Sequence, residues 1–66
     1  MDQYYVNDDA QTKGEHEVHR ESCSYLQKNK TYVGTFSNCK EAIAKAKTIY
    51  TNVDGCYFCI PDCHTR

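Results

Sequence analysis

The apolar positions of this chain fall into short blocks with different spacings, set apart by polar stretches. Asp2-Gln3-Tyr4-Tyr5-Val6 reads as a first short strand, and Asn7 to Glu17, with Gly14 inside it, reads as an exposed polar loop. Val18 to Leu26 follows, and Gln27-Lys28-Asn29-Lys30 is a turn. Thr31 to Phe36 gives the clearest strand signal, being β-branched and aromatic, with Gly34 marking a bulge or a close backbone approach. The period then changes from two to about 3.6. Cys39, Ile43, Ala46 and Tyr50 recur at steps of 4, 3 and 4, which predicts one apolar face of a helix over Asn38 to Tyr50. Ser37 or Asn38 caps its start, and Glu41 stands three residues after Asn38 in a capping-box arrangement. Asn52 to Gly55 should stop the helix, with Asp54-Gly55 as a tight turn that delivers Cys56.

These elements predict an α+β fold: a short β-sheet, one main helix and a C-terminal Cys-x2-Cys knuckle. The 66 residues make a single domain, residues 1–17 a strand plus polar loop and residues 18–60 its core. A chain this short leaves much of its surface in water, so its core needs a staple. The apolar inventory agrees, because two Phe, three Ile, one Leu and four Val stand beside six Tyr whose hydroxyls need partners.

Five cysteines supply candidates for the staple. The number is odd, whereas a purely disulfide-bonded secreted module usually carries an even one. Met1-Asp2-Gln3-Tyr4-Tyr5 has neither the basic nor the apolar region of a secretory leader. Both features predict a cytoplasmic protein whose clustered Cys and His bind metal. Cys56 and Cys59 form one ligand pair, and His19-x3-Cys23 lies far upstream as a second. Together they give four donors of the types zinc prefers, converging at ~2.3 Å for sulfur. The expected cofactor is therefore one structural zinc per chain. Cys39, on the apolar helix face, reads as a packed core thiol in preference to a ligand or disulfide partner. Cys63 and His64 also have usable ligand spacing, and His64 is an alternative to His19. His16, between two Glu, reads as solvated surface.

The order His19-x3-Cys23, strand, helix, Cys56-x2-Cys59, with the run Phe36-Ser37 leading to Glu41-Ala42, resembles the zinc-binding domain of the Ada methyl-phosphotriester repair proteins over roughly residues 18–60. The whole chain also looks like a group of short bacterial proteins that use this fold alone. The resemblance implies a small α+β fold with structural zinc on the residues matching His19, Cys23, Cys56 and Cys59. Its chemistry is not implied. The Ada position that accepts a methyl group is a cysteine, here His19, and a zinc-bound imidazole lacks the activated thiolate. The arginine-rich run of that family is replaced by Tyr57, Phe58, Ile60 and Asp62.

Charge narrows the function further. The formal net charge is −1, against the basic excess that gives nucleic-acid binders most of their affinity. The leading expectation is a non-catalytic module that binds a protein partner, since Tyr4, Tyr5, Tyr25 and Tyr57 exceed what so small a core can bury. A DNA-associated accessory is the alternative, if Arg20, Lys28, Lys30, Lys40, Lys45 and Lys47 gather on one face. Thiol redox chemistry through Cys56 and Cys59 is a second alternative, weakened because the pair follows the helix instead of starting one. An enzyme is not expected: no nucleophile has an evident base, and four protein ligands close a zinc site to water.

Overall fold

The computed structural model describes residues 1–65. Three longer strands, β1 (Asp2–Asn7), β2 (His16–Arg20) and β3 (Lys30–Phe36), are joined by helix α1 (Cys39–Ala46), a short strand β4 (Val53–Gly55) and a 3-10 turn over Pro61–Cys63. The sheet order is β3-β1-β2-β4. β1 runs antiparallel to β2 and β3, and β4 adds parallel to β2 at the edge. The α+β class expected from the sequence is what the chain adopts. Among the described residues, no helix is long and apolar enough to cross a membrane.

Strand alternation sorts the sheet's side chains. Val6 lies opposite Val18 and Tyr5 opposite His19, so Tyr4, Val6 and Val18 share one face while Tyr5, Asn7, Glu17 and His19 share the other. The first set joins Val33, Ala42 and Ala46 in the core. Val18 and His19 are both fully buried, so β2 is covered on both faces. The β1/β3 register slips between Tyr4 and Tyr5, beside Gly34, whose φ of 146° and whose distance of 2.9 Å from a built Cβ to the Phe36 ring explain the glycine. Tyr4, expected at the surface, is fully buried because alternation turns it towards the core, where Phe36 lies 6.3 Å away between ring centroids.

Helix α1 starts as expected. Asn38 Oδ1 accepts the Glu41 N–H at 3.0 Å, and Ser37 Oγ donates to Glu41 Oε1 at 2.9 Å. It ends at Ala46, earlier than the periodicity predicts. Lys47, Ile49 and Tyr50 still bond back to Ile43 and Ala46, but as closing turns. The Thr48 hydroxyl donates to the Lys45 carbonyl at 2.6 Å, using an acceptor a longer helix would need. Tyr50 then leaves the helix to stack on His16, centroids 3.7 Å apart. His16 is therefore half-buried in β2, not in a solvated loop, and its Nδ1 donates to the Asn7 carbonyl at 3.0 Å.

Two further expectations are corrected. Asp54-Gly55 is not a tight turn but part of β4 (Val53–Gly55), because β2 offers a free edge to pair with. Cys39 is not a packed thiol: it forms a disulfide with Cys63 that ties the start of α1 to the 3-10 turn, with Cα atoms 6.3 Å apart. Between them, Gly55 lets the returning chain pass at van der Waals contact. A Cβ there would lie 2.7 Å from the Cys63 carbonyl oxygen. Replacing Gly55 with Ala should therefore cost about 1–3 kcal/mol, as overpacking does, read as a lowered midpoint in thermal unfolding.

Candidate metal centre

Three segments bring four donors together. β2 carries His19. The turn after it carries Cys23, whose N–H bonds the Arg20 carbonyl at 3.0 Å. The ladder between β2 and β4 continues one step past Gly55, with the Cys56 N–H on the Val18 carbonyl at 3.0 Å, which sets Cys56 beside His19. A bond of 3.0 Å from the Ile60 N–H to the Cys56 carbonyl then turns the chain so that Cys59 comes back to the same point. The ligand atoms of His19, Cys23, Cys56 and Cys59 all lie within 4.8 Å of one another. This group can hold a metal ion.

Backbone donors already face the sulfurs. Phe58 N–H points to Cys56 Sγ at 3.3 Å and Arg20 N–H to Cys59 Sγ at 3.4 Å. Such bonds stabilise thiolates. Burial acts in the opposite sense on the metal-free chain. It pushes the Cys59 thiol up to about 12, with the neighbouring sulfurs of Cys23 and Cys56 adding to the rise and the Arg20 N–H opposing it. A bound cation reverses that balance and draws the thiol into its anionic form. His19 moves the other way: burial lowers its imidazole to about 4, so the ring is neutral near pH 7 and ready to coordinate.

The His19 ring shows which nitrogen is available. Nε2 lies 2.9 Å from Asn7 Nδ2 and 3.2 Å from Glu17 Oε1. Asn7 Oδ1 accepts the Gln27 N–H at 3.0 Å, which fixes the amide with its NH2 towards the ring. Nδ1 is buried with no hydrogen-bond partner. Asn7 Nδ2 therefore donates to Nε2, which leaves the ring proton on Nδ1. A metal at Nδ1 requires that proton to move to Nε2, where the Asn7 amide gives way and the Glu17 carboxylate is the acceptor within reach. With the proton so moved, the group would form a carboxylate–histidine–metal arrangement. Burial holds the Glu17 carboxyl above its ordinary range, countered by a hydrogen bond from Gln11.

All four residues expected from spacing therefore meet. Cys63 and His64, considered as alternative ligands, do not join them. Cys63 is disulfide-bonded, and His64 Nδ1 faces the Gly55 carbonyl at 3.0 Å and Asp54 Oδ2 at 3.3 Å. Sequence reasoning missed Asn7 and Glu17. Glu17 was within reach, two positions before His19 on a strand and so on its face. Asn7 had no local signal, because its place depends on the β1/β2 register. Compared with known proteins, the chain matches no family model, no curated protein and no solved structure.

Two outcomes are expected. Replacing Glu17 with Gln keeps the fold and weakens metal affinity about 10- to 100-fold in chelator competition. Acid should open the site in a defined window. The unfolded imidazole protonates near 6.5, whereas burial holds the folded one lower and a bound metal would hold it lower still, so the stability drawn from neutral His19 is complete above 6.5 and falls away as pH drops below it. An acid titration followed by amide NMR reads that loss.

Proposed function

We propose that this chain is a non-catalytic structural-zinc module of the Ada-like type, in which one Zn2+ on His19, Cys23, Cys56 and Cys59 holds the fold and presents a surface to a protein partner. The observation that carries the metal is the 3.8 Å separation of Cys23 Sγ and Cys56 Sγ. Tetrahedral bonds of ~2.3 Å place two sulfurs about 3.8 Å apart. Three thiolates with one imidazole are a soft donor set that suits zinc over harder cations. Four protein ligands fill its coordination sphere and leave no position for an activated water.

The partner surface is supported by rings that the knuckle holds in solvent. Tyr25, Tyr57 and Phe58 are all more than half exposed, while Tyr4 is buried. Redox use of Cys56 and Cys59 fits less well, because a reactive thiol needs a lowered pKa and burial drives Cys59 upward. The basic residues named for a DNA-associated role are partly engaged elsewhere: Arg20 Nε lies 3.7 Å from Asp2, and Lys30 Nζ lies 5.8 Å from the Tyr5 ring centroid. A cytoplasmic home belongs to the same proposal, since a reducing compartment keeps three ligand thiols unpaired. The Cys39–Cys63 disulfide pulls the other way.

Elemental analysis of the purified chain, with amide NMR before and after strong chelation, tests the reading. About one zinc per chain and collapse of dispersion on chelation are expected, with most of the affinity lost in His19→Ala. A stable fold without zinc would sink it.

A further inference from the structure

We propose that the ring cluster of Tyr25, Tyr57 and Phe58 is the docking site for a short arginine-bearing peptide segment of a partner protein. The proposal rests on the zinc reading above, because the metal knuckle holds these rings. Tyr57 and Phe58 are the two residues between the ligands Cys56 and Cys59, and Tyr25 follows Cys23 by two positions. Segments distant in sequence thus meet in one aromatic corner. Tyr25 and Phe58 stack with centroids 4.5 Å apart and planes at 21°, and Tyr57 stands edge-on to Phe58 at 5.3 Å and 85°. Nothing in the core requires this. The three side chains are 56%, 61% and 64% exposed, although rings of this size are normally among the most completely used in a small domain.

Area selects the size of the occupant. An aromatic side chain presents roughly 150–250 Å2, so three rings about three-fifths exposed offer on the order of 400 Å2. A stable globular interface needs about 800 Å2 from each partner. The corner suits a few residues of extended chain, not a folded face or a second copy.

Charge selects its chemistry. A zinc ion with three thiolates and one neutral imidazole would carry a net charge of about −1, next to Phe58, whose N–H lies 3.3 Å from Cys56 Sγ. Near the rings in sequence, Glu21 and Asp62 stand against Lys28. Asp54 is buried against His64, whose ring lies edge-on to Tyr57 at 5.4 Å, and Arg20 beside Cys59 is offset by Asp2 at 3.7 Å. Aromatic faces over an anionic base attract a cation, and a guanidinium plane can lie flat on one ring while its N–H groups reach the phenol oxygens. The same field repels phosphate. A single-stranded nucleic acid, which would also stack on such rings, therefore fits less well.

The test is an amide NMR titration of the zinc-loaded full chain with three probes: a capped Gly-Arg-Gly-Arg-Gly peptide, its citrulline counterpart and a short oligothymidylate. The arginine peptide should give saturable shifts centred on Tyr25 and on residues 56–59, at an affinity about tenfold above both other probes. Phe58→Ala and, independently, Tyr25→Ala should each reduce it about three- to tenfold with zinc content unchanged. Equal response to citrulline, or tighter binding of the oligonucleotide, overturns the proposal while leaving the metal reading intact. Zinc content and dispersion of the same sample separate the two: a chain without zinc has lost the metal reading, and the docking proposal falls with it.

Discussion

A fully buried imidazole with one nitrogen hydrogen-bonded and the other without a partner, grouped with three cysteine sulfurs, is the constraint around which this small fold is arranged. His19 can sit there only because β1 supplies Asn7 beside it, because Glu17 shares its face of β2, and because β4 extends the sheet just far enough to deliver Cys56. An unpartnered buried nitrogen costs on the order of 1–3 kcal/mol. A cation coordinated at Nδ1 removes that cost and at the same time answers the burial of the thiols.

The chain carries one disulfide staple and, on the proposed reading, a metal staple of greater weight. The Cys39–Cys63 disulfide spans 24 residues, which in the loop-entropy description is worth roughly 3–4 kcal/mol. Structural zinc in comparably small domains contributes roughly 10–16 kcal/mol. On that comparison the proposed zinc stabilises the fold more than the disulfide does. The disulfide then acts on its surroundings: it fixes the 3-10 turn beyond Cys59 to the start of α1, so the knuckle is anchored on both sides, by the β4 ladder before it and by the disulfide after it.

Much of this was legible locally. Caps, the apolar helix face, the β1 and β3 runs and the two ligand pairs are short-range patterns, and they led to the right class of fold and the four converging donors. What escaped the sequence depended on distant partners. Val53 to Gly55 is too short to read as a strand and becomes one only because β2 has an open edge. His16 looks solvated between two carboxylates until the Tyr50 ring arrives across the fold. Cys39 has the spacing of a core position, and nothing near it in sequence names Cys63. The end of α1 lay between the two cases, since the 3.6 period persists to Tyr50 while the last turns are spent on closing bonds and on the stack with His16.

Tyr57 and Phe58 occupy the spacer positions between Cys56 and Cys59, where the proposed coordination would constrain the path of the backbone but not the identity of the side chains. The residues that hold the molecule together and the residues that meet its surroundings are thus interleaved along a single loop without being the same residues. A lineage carrying this architecture could exchange one ring for another and so change its preferences in small steps, without passing through a form that fails to fold. The x2 spacer acts as an interchangeable head on a fixed mount, and divergence among descendants of such a chain should collect there before it reaches the ligands on either side.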